Sequence, residues 1–427
     1  MKFVKSILSL ALVTGAAFNG QAQVDTLSLK SKISVLEFLN RAGKENLGYA
    51  AEKYSVNIAE AGIETAKIFP DPVFSLGAFD NQQSKLKLGQ GVSLGLGTTI
   101  ELGGKRSARI HLAQSETELS KALLLDYLRN LRANAALVYY SAIRQYELMK
   151  IQQYSYQMMK QLAEADAVRY KLGAITETDA RQSKLEASNL QNSVYQHEAD
   201  WKSSLVQLSA YLGKKNPDTL LIPDGNFENL ARDLNYQRLI SNAQQIRADA
   251  VAALNSKTVA ERSLDLVKAN RKTDLGINAG LQFNGVSKNE VAPTPYHRTF
   301  NAGLSVPLKF SNHYKGDLKA AQFTIKQAGV QYEQVLQQIQ VEVSQAYFNY
   351  NAAQKQVQQY KNGLLTEGKK ILIAKIYSYK RGETSLLEVL NAQRTYNEVQ
   401  QGFCESQSNY AAALIELERA AGIWDIK

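Results

Sequence analysis

Over residues 86–102 the even positions read Leu86, Leu88, Gln90, Val92, Leu94, Leu96, Thr98, Ile100 and Leu102. The odd positions read Lys87, Gly89, Gly91, Ser93, Gly95, Gly97, Thr99 and Glu101. Leu275, Ile277, Ala279, Leu281 and Phe283 alternate with Gly276, Asn278, Gly280 and Gln282, and Phe300, Ala302, Leu304, Val306 and Leu308 alternate with Asn301, Gly303, Ser305 and Pro307. Phe74, Leu76 and Ala78 against Ser75 and Gly77 form a weaker case. A period of two predicts strands with one apolar and one polar face. A half-buried soluble sheet shows the same alternation. Three features favour a membrane strand instead. The segments reach the roughly 9–11 residues that crossing a bilayer needs, the polar face is Gly, Ser, Asn and Gln rather than charged, and Phe69, Phe79, Tyr296 and Phe310 lie near strand ends. Pro307 is tolerable close to a strand end. Four strands are too few, because the smallest membrane barrels have about eight and an open sheet in lipid leaves edge groups unpaired. The barrel must be shared between copies of the chain; dimers and trimers both satisfy this count.

The remainder has a helical period. Leu318, Ala321, Ile325, Ala328, Tyr332, Val335, Ile339, Val343, Ala346, Tyr350, Ala353, Val357, Tyr360 and Leu364 recur at a mean step of about 3.5 residues, the coiled-coil value, with one stutter near Ile339. Residues 315–381 and 105–172 are therefore expected to be single helices of about 100 Å each. Residues 174–212 and 383–421 predict helices of about 60 Å, and 31–68 and 238–270 shorter ones. A short helix of each kind, stacked end to end, matches one long helix. That suggests a sheath of parallel rods.

The chain also repeats itself at a spacing of about 209 residues, far beyond solenoid periods. Tyr170-Lys171 pairs with Tyr379-Lys380, Gly173 with Gly382, Thr176 with Ser385, Asp179 with Glu388, Trp201 with Tyr410 and Gly213 with Gly422. The expected organisation is a first repeat at 23–213, a linker at 214–235 rich in turn signals (Pro217, Pro223, Gly225), and a second repeat at 236–427. Residues 1–22 have the order of a secretory signal peptide: Lys2 and Lys5, the apolar stretch Ile7 to Val13, then small residues to Ala22.

Composition removes several functions. The one cysteine, Cys404, leaves no internal disulfide or cysteine-based zinc cluster, and the four histidines are scattered. No run of about 18 apolar residues predicts a membrane helix. The balance of 50 basic to 40 acidic residues is spread along helices without a basic cluster, so nucleic acid is not an expected partner. Gly104-Lys105 lacks the Ser or Thr of a phosphate loop, Gly95-Leu96-Gly97 lacks the third glycine of a dinucleotide site, and no nucleophile elbow appears. Neither an enzyme nor a cofactor is expected.

The helix breaks carry the candidate chemistry. Tyr170-Lys171-Leu172-Gly173 and Tyr379-Lys380-Arg381-Gly382 end their helices on glycine, and Thr176 and Ser385 restart them as expected N-caps. Asp179 and Glu388 stand three residues later, the spacing of a capping box. In a symmetric assembly the same carboxylates would form rings at the end of a tube, a cation-attracting constriction.

With these residues in view, the plan of duplicated helix–β-hairpin–helix units resembles the TolC family of outer-membrane efflux ducts over nearly the whole chain. Glu101-Leu102-Gly103-Gly104-Lys105-Arg106 is similar to a segment typical of CzcC-type heavy-metal efflux proteins, and Gly173–Asp179 and Gly382–Glu388 match the family motif at the helical tips. The resemblance implies a mostly α fold with a membrane β part: a long α-helical barrel reaching into the periplasm and a transmembrane β-barrel of twelve strands shared by a homotrimer. It implies outer-membrane lipid around the barrel, docking to a periplasmic adaptor (a membrane fusion protein) and an inner-membrane pump of the RND type. It places the gate near the second tip, at Glu388 and Asn391, with Asp179 a further candidate; Asn391 departs from the family's acidic pattern. It makes Tyr170, Leu172, Gly173, Thr176, Tyr379, Arg381, Gly382 and Ser385 candidates for adaptor contact. The expected function is a passive exit duct for heavy-metal cations. A drug, solvent or type I secretion duct of the same fold is the alternative, and a secreted coiled-coil scaffold is the rival from another class.

Overall fold

A computed structural model describes residues 31–83, 87–213, 220–309 and 314–425. The signal-peptide segment, Leu86, most of the linker's first part and Phe310 lie outside them.

The first long helix forms as its periodicity predicts: α3 runs unbroken over Lys105–Lys171, 67 residues, or about 100 Å. Its counterpart does not. The second rod is α7 (Lys315–Gln359), a π-type bulge at Tyr360–Leu364, and α8 (Leu365–Lys380). Gly363 has φ +133°, which no helix holds and which side chains avoid. Tyr154 stands at the equivalent place in α3, and the helix continues through it. Across the bulge Tyr360 covers Gly402, where an added Cβ would come within 2.5 Å of its hydroxyl.

The helices before the strands are also divided. α1 (Val35–Glu45) and α2 (Leu47–Ala66) are separated by one extended residue, Asn46, whose side chain caps Tyr49 N–H. α5 (Tyr236–Ile246) and α6 (Ala248–Asn270) are separated in the same manner by Arg247. These one-residue breaks receive the far ends of the other short helices. α4 (Glu177–Tyr211) arrives at Asn46, whose amide donates to Tyr211 O at 3.3 Å. α9 (Leu386–Ala421) arrives at Arg247, which donates to Ala420 O at 2.8 Å. The end-to-end stacking suggested by length is present at both places.

Arg247 is fully buried, against Asp249 at 2.6 Å and Glu342 at 2.8 Å, while Arg129 reaches Arg419 O at 2.8 Å. A buried cation needs such partners. Burial alone would push the Asp249 carboxyl up, but the Arg247 guanidinium beside it holds it below the usual range. Next to this joint lies the main core, with Phe38, Tyr139, Leu208, Ile339, Val343, Leu414 and Ile415 all nearly or fully buried. A small parallel pairing that the sequence pattern did not predict, β1 (Ser31–Ile33) with β4 (Leu221–Pro223), closes it, and Tyr139 donates to Ile33 O at 2.9 Å.

At the other end of the helices stand four strands: β2 (Val73–Asp80), β3 (Gln90–Ile100), β5 (Leu275–Asn284) and β6 (His297–Ser305). They form one antiparallel sheet in the order β2-β3-β5-β6. Pro307 lies beyond the end of β6, where it blocks no ladder bond.

Candidate functional site

The sheet register sorts its two faces. Leu76, Leu94, Leu281 and Phe300 lie in line across all four strands, as do Phe74, Leu96, Ala279 and Ala302. This face is bare: Leu76 is 68% exposed and Leu304 72%. On the other face Ser75, Gly95, Gly280 and Asn301 are aligned, and so are Gly77, Ser93, Gln282 and Thr299. There the glycines make room for the polar side chains of the next strand; a Cβ on Gly95 would sit 2.5 Å from Ser75 Oγ, and one on Gly280 2.7 Å from Asn301 Oδ1. An uncovered apolar wall backed by a small, uncharged polar wall suits lipid on one side and water on the other. Among the described residues β2 and β6 are free edges, which lipid does not tolerate.

Where sheet meets helices, Glu101–Arg106 forms a joint. Lys105 is buried, with Nζ 2.6 Å from Asp274 Oδ2, and Leu102 N–H donates to the other oxygen of Asp274 at 3.2 Å. Arg109 makes a two-pronged ion pair with Glu101, and Arg106 donates to Lys67 O at 2.6 Å while stacking over Phe69. Gly103 lies against Lys272, whose Cγ a Cβ would meet at 2.3 Å. Every charged group of the motif is thus bound within the chain, where strands and helices join.

The two hairpin tips lie at the opposite end. Each closes on a left-handed glycine, Gly173 at φ +72° and Gly382 at φ +78°. Each also closes with a six-residue return bond: Ala174 N–H to Arg169 O and Glu383 N–H to Ser378 O, both 2.9 Å. Thr176 caps Asp179 N–H at 3.1 Å, and Ser385 caps Glu388 N–H at 3.4 Å. The two carboxylates then part ways. Asp179 accepts a bond from the Thr176 hydroxyl at 2.8 Å, so it serves its own cap. Glu388 pairs with Lys375 of the facing helix α8, and that bond holds its carboxyl below the usual glutamate range. Asn391 is exposed one turn further along α9.

Of the contact candidates, Tyr170 (43% exposed) and Leu172 (77%) are open to solvent, as are Gly173, Thr176, Gly382 and Ser385. Arg381, also exposed, folds back on Glu383 at 2.9 Å and on Tyr377. Tyr379 contradicts its expected role. It is 4% exposed and donates to Asp166 Oδ1 at 3.1 Å, while Arg169 stacks on its ring. Its ring is drawn inward because Met159, Leu162, Leu386, Val389 and Leu390 form a second core that joins the two hairpins.

Asp166, Arg169 and Lys375 also belong to the tips, though no motif marks them. Asp166 is completely buried, and burial pushes its carboxyl up from the ordinary value. An acid continuing the Met159, Leu162 step of the buried stripe was the available signal. Among the described residues no group of three or more His, Cys, Asp or Glu could hold a metal, and no helix is long and apolar enough to cross a membrane. A cleft of about 730 Å³ opens beside the Gly363 bulge between Ile143, Phe227, Lys369 and Cys404.

A helical sheath on an open sheet with one uncovered apolar face defines the class by its fold, that of outer-membrane channel protomers. Residues 236–423 match the family described as outer membrane efflux protein. The chain is 24% identical over 367 residues to the cobalt-zinc-cadmium resistance protein CzcC of Cupriavidus metallidurans, covering 84% of this chain and 82% of that one. Its fold is similar to that of CusC (TM-score 0.73, 16% identity, covering 91% and 92% of the two chains) and of the outer membrane protein VceC of Vibrio cholerae (TM-score 0.70, 18% identity, 91% and 96%). Residues 236–423 thus form an outer membrane efflux protein domain, and the chain as a whole has the fold of these outer-membrane channels, with a long helical extension beyond the sheet.

Proposed function

We propose that the chain is the passive exit duct of a three-part efflux system: a homotrimer whose twelve strands close one barrel, fed by an inner-membrane pump of the RND type through a periplasmic adaptor. The observation that carries the reading is the four-stranded sheet with free edges β2 and β6, which three copies would join edge to edge. The exposed tip residues Tyr170, Leu172, Gly173, Thr176, Arg381, Gly382 and Ser385 offer the adaptor surface; Tyr379 holds the tip together from inside. Glu388 and Asn391 narrow the entrance. Opening requires the two hairpins to separate, and the Asp166–Tyr379 bond resists that movement. Asp179, bound to its own cap, is a weaker candidate for the constriction.

Similarity to CzcC supports divalent heavy-metal cations as cargo. Organic compounds are the second reading, since the charged groups of the Glu101–Arg106 joint are bound within the chain and the motif gives no separate support to metal cargo. Detergent-purified protein in planar bilayers tests the duct. Stepwise conductance from a species that loses its gel mobility on boiling supports it; an absence of conductance from intact oligomer overturns it. Growth of a deletion strain on cobalt, zinc or cadmium against growth on organic toxicants separates the two cargoes.

A further inference from the structure

A constriction lined by unpaired carboxylates binds divalent cations, and an ion that binds well at a narrow place leaves slowly. The second hairpin avoids this. Between residues 365 and 394 it has three acids, Glu367, Glu383 and Glu388, and each has a basic partner: Lys370 at 2.9 Å, Arg381 at 2.9 Å, and Lys375. The first two pairs are neighbours on one stretch of chain. The third is built across the hairpin, since Lys375 lies seven residues before the Gly382 turn and Glu388 six after it. One turn along α9 from Glu388 stands the uncharged Asn391.

We propose that Lys375 is a specificity-determining residue: by pairing with Glu388 across the hairpin it keeps the constriction from trapping divalent cations, so that they pass rather than block. The inference rests on the reading of Glu388 as a lumen-facing residue of the tip. The pair need not be strong to do this. An opposite charge within contact distance turns each carboxylate's monopole into a dipole whose attraction falls off faster with distance. Three copies would then present three ion pairs and three amides instead of a carboxylate ring.

Conductance of the full-length protein in planar bilayers, titrated with cobalt or zinc chloride, tests this. The native channel is expected to need at least about tenfold more divalent ion for half-block than Lys375→Met. Lys375→Arg should behave as native, and Lys375→Met combined with Glu388→Gln should lose the block again. Glu388→Cys with a charged thiol reagent reports separately on the lumen; the native Cys404 does not interfere, because burial pushes its thiol up to about 12. A current reduced by the reagent together with an unchanged half-block in Lys375→Met overturns the role of Lys375 and leaves Glu388 in the lumen. An unchanged current after modification overturns both.

Discussion

At Gly173 and at Gly382 the backbone turns in the same way, with the same return bond and a hydroxyl cap three residues on. The positions that finish the two tips differ. One repeat length apart, residue 166 is Asp and residue 375 is Lys, while the aligned tyrosines 170 and 379 are exposed and buried. Asp166 turns to Tyr379 of the other hairpin, and Lys375 turns to Glu388 of its own. Duplication preserved the parts that make a hairpin, which are local and serve both copies. It diverged where the hairpins meet each other, which no longer presents the same surroundings to both.

The largest expected difference is at the tyrosines. Tyr379→Ala removes a buried ring and one hydrogen bond to the buried Asp166 carboxylate, leaving it Arg169 at 3.5 Å, and should lower the local opening free energy of the tip by about 3 kcal/mol. Tyr170→Ala should change it by no more than about 0.5 kcal/mol. Hydrogen exchange at the two tips checks both, and equal effects would break the comparison. Next comes the response to pH. Asp166 has a raised carboxyl pKa in the folded chain, so its ionised form weakens the tip at neutral pH, and the tip should tighten as pH falls through that raised value. Glu388 has the opposite sign: its lowered pKa makes the Lys375 pair a contribution present above the ordinary glutamate range and lost as pH falls through the lowered value. Exchange rates followed from neutral to acid pH should therefore move in opposite directions at the Tyr379 contact and at the Glu388 cap.

Smaller effects test what the tips share. Gly173→Ala and Gly382→Ala should each cost about 1 kcal/mol, because both need the left-handed conformation. Thr176→Ala should cost about 1 kcal/mol, more than Ser385→Ala, since Thr176 also holds the Asp179 carboxylate. A reversed order would show that Asp179 is not serving its cap.

Strand alternation and the glycine stops were legible because each is written in neighbouring residues, and the duplicated plan because the same local signals recur about 209 residues apart. The alternation over 86–102 even selected the correct apolar face, with Leu94 and Leu96 in line across the sheet. The helix breaks were not legible. One extended residue at Asn46 or Arg247 leaves the apolar period on either side undisturbed, so the pattern reads straight through. Asn362-Gly363 did carry a signal, a turn-forming pair inside a helix, but the coiled-coil stripe around it was stronger. The Asp166–Tyr379 and Arg247–Glu342 contacts join residues far apart in sequence, and no local spacing announces them. The six-residue segment that suggested a metal subgroup proved to be a joint, so motif likeness there reports architecture more directly than cargo.

A four-stranded sheet with two free edges is complete in lipid only with copies of itself. The most direct measurement is the mass of the full-length protein, by sedimentation or native mass spectrometry, in detergent and in plain buffer. A detergent-dependent species of three chains that falls to one on boiling is predicted. A monomer that stays dissolved without detergent, with its apolar sheet face exposed, would contradict it.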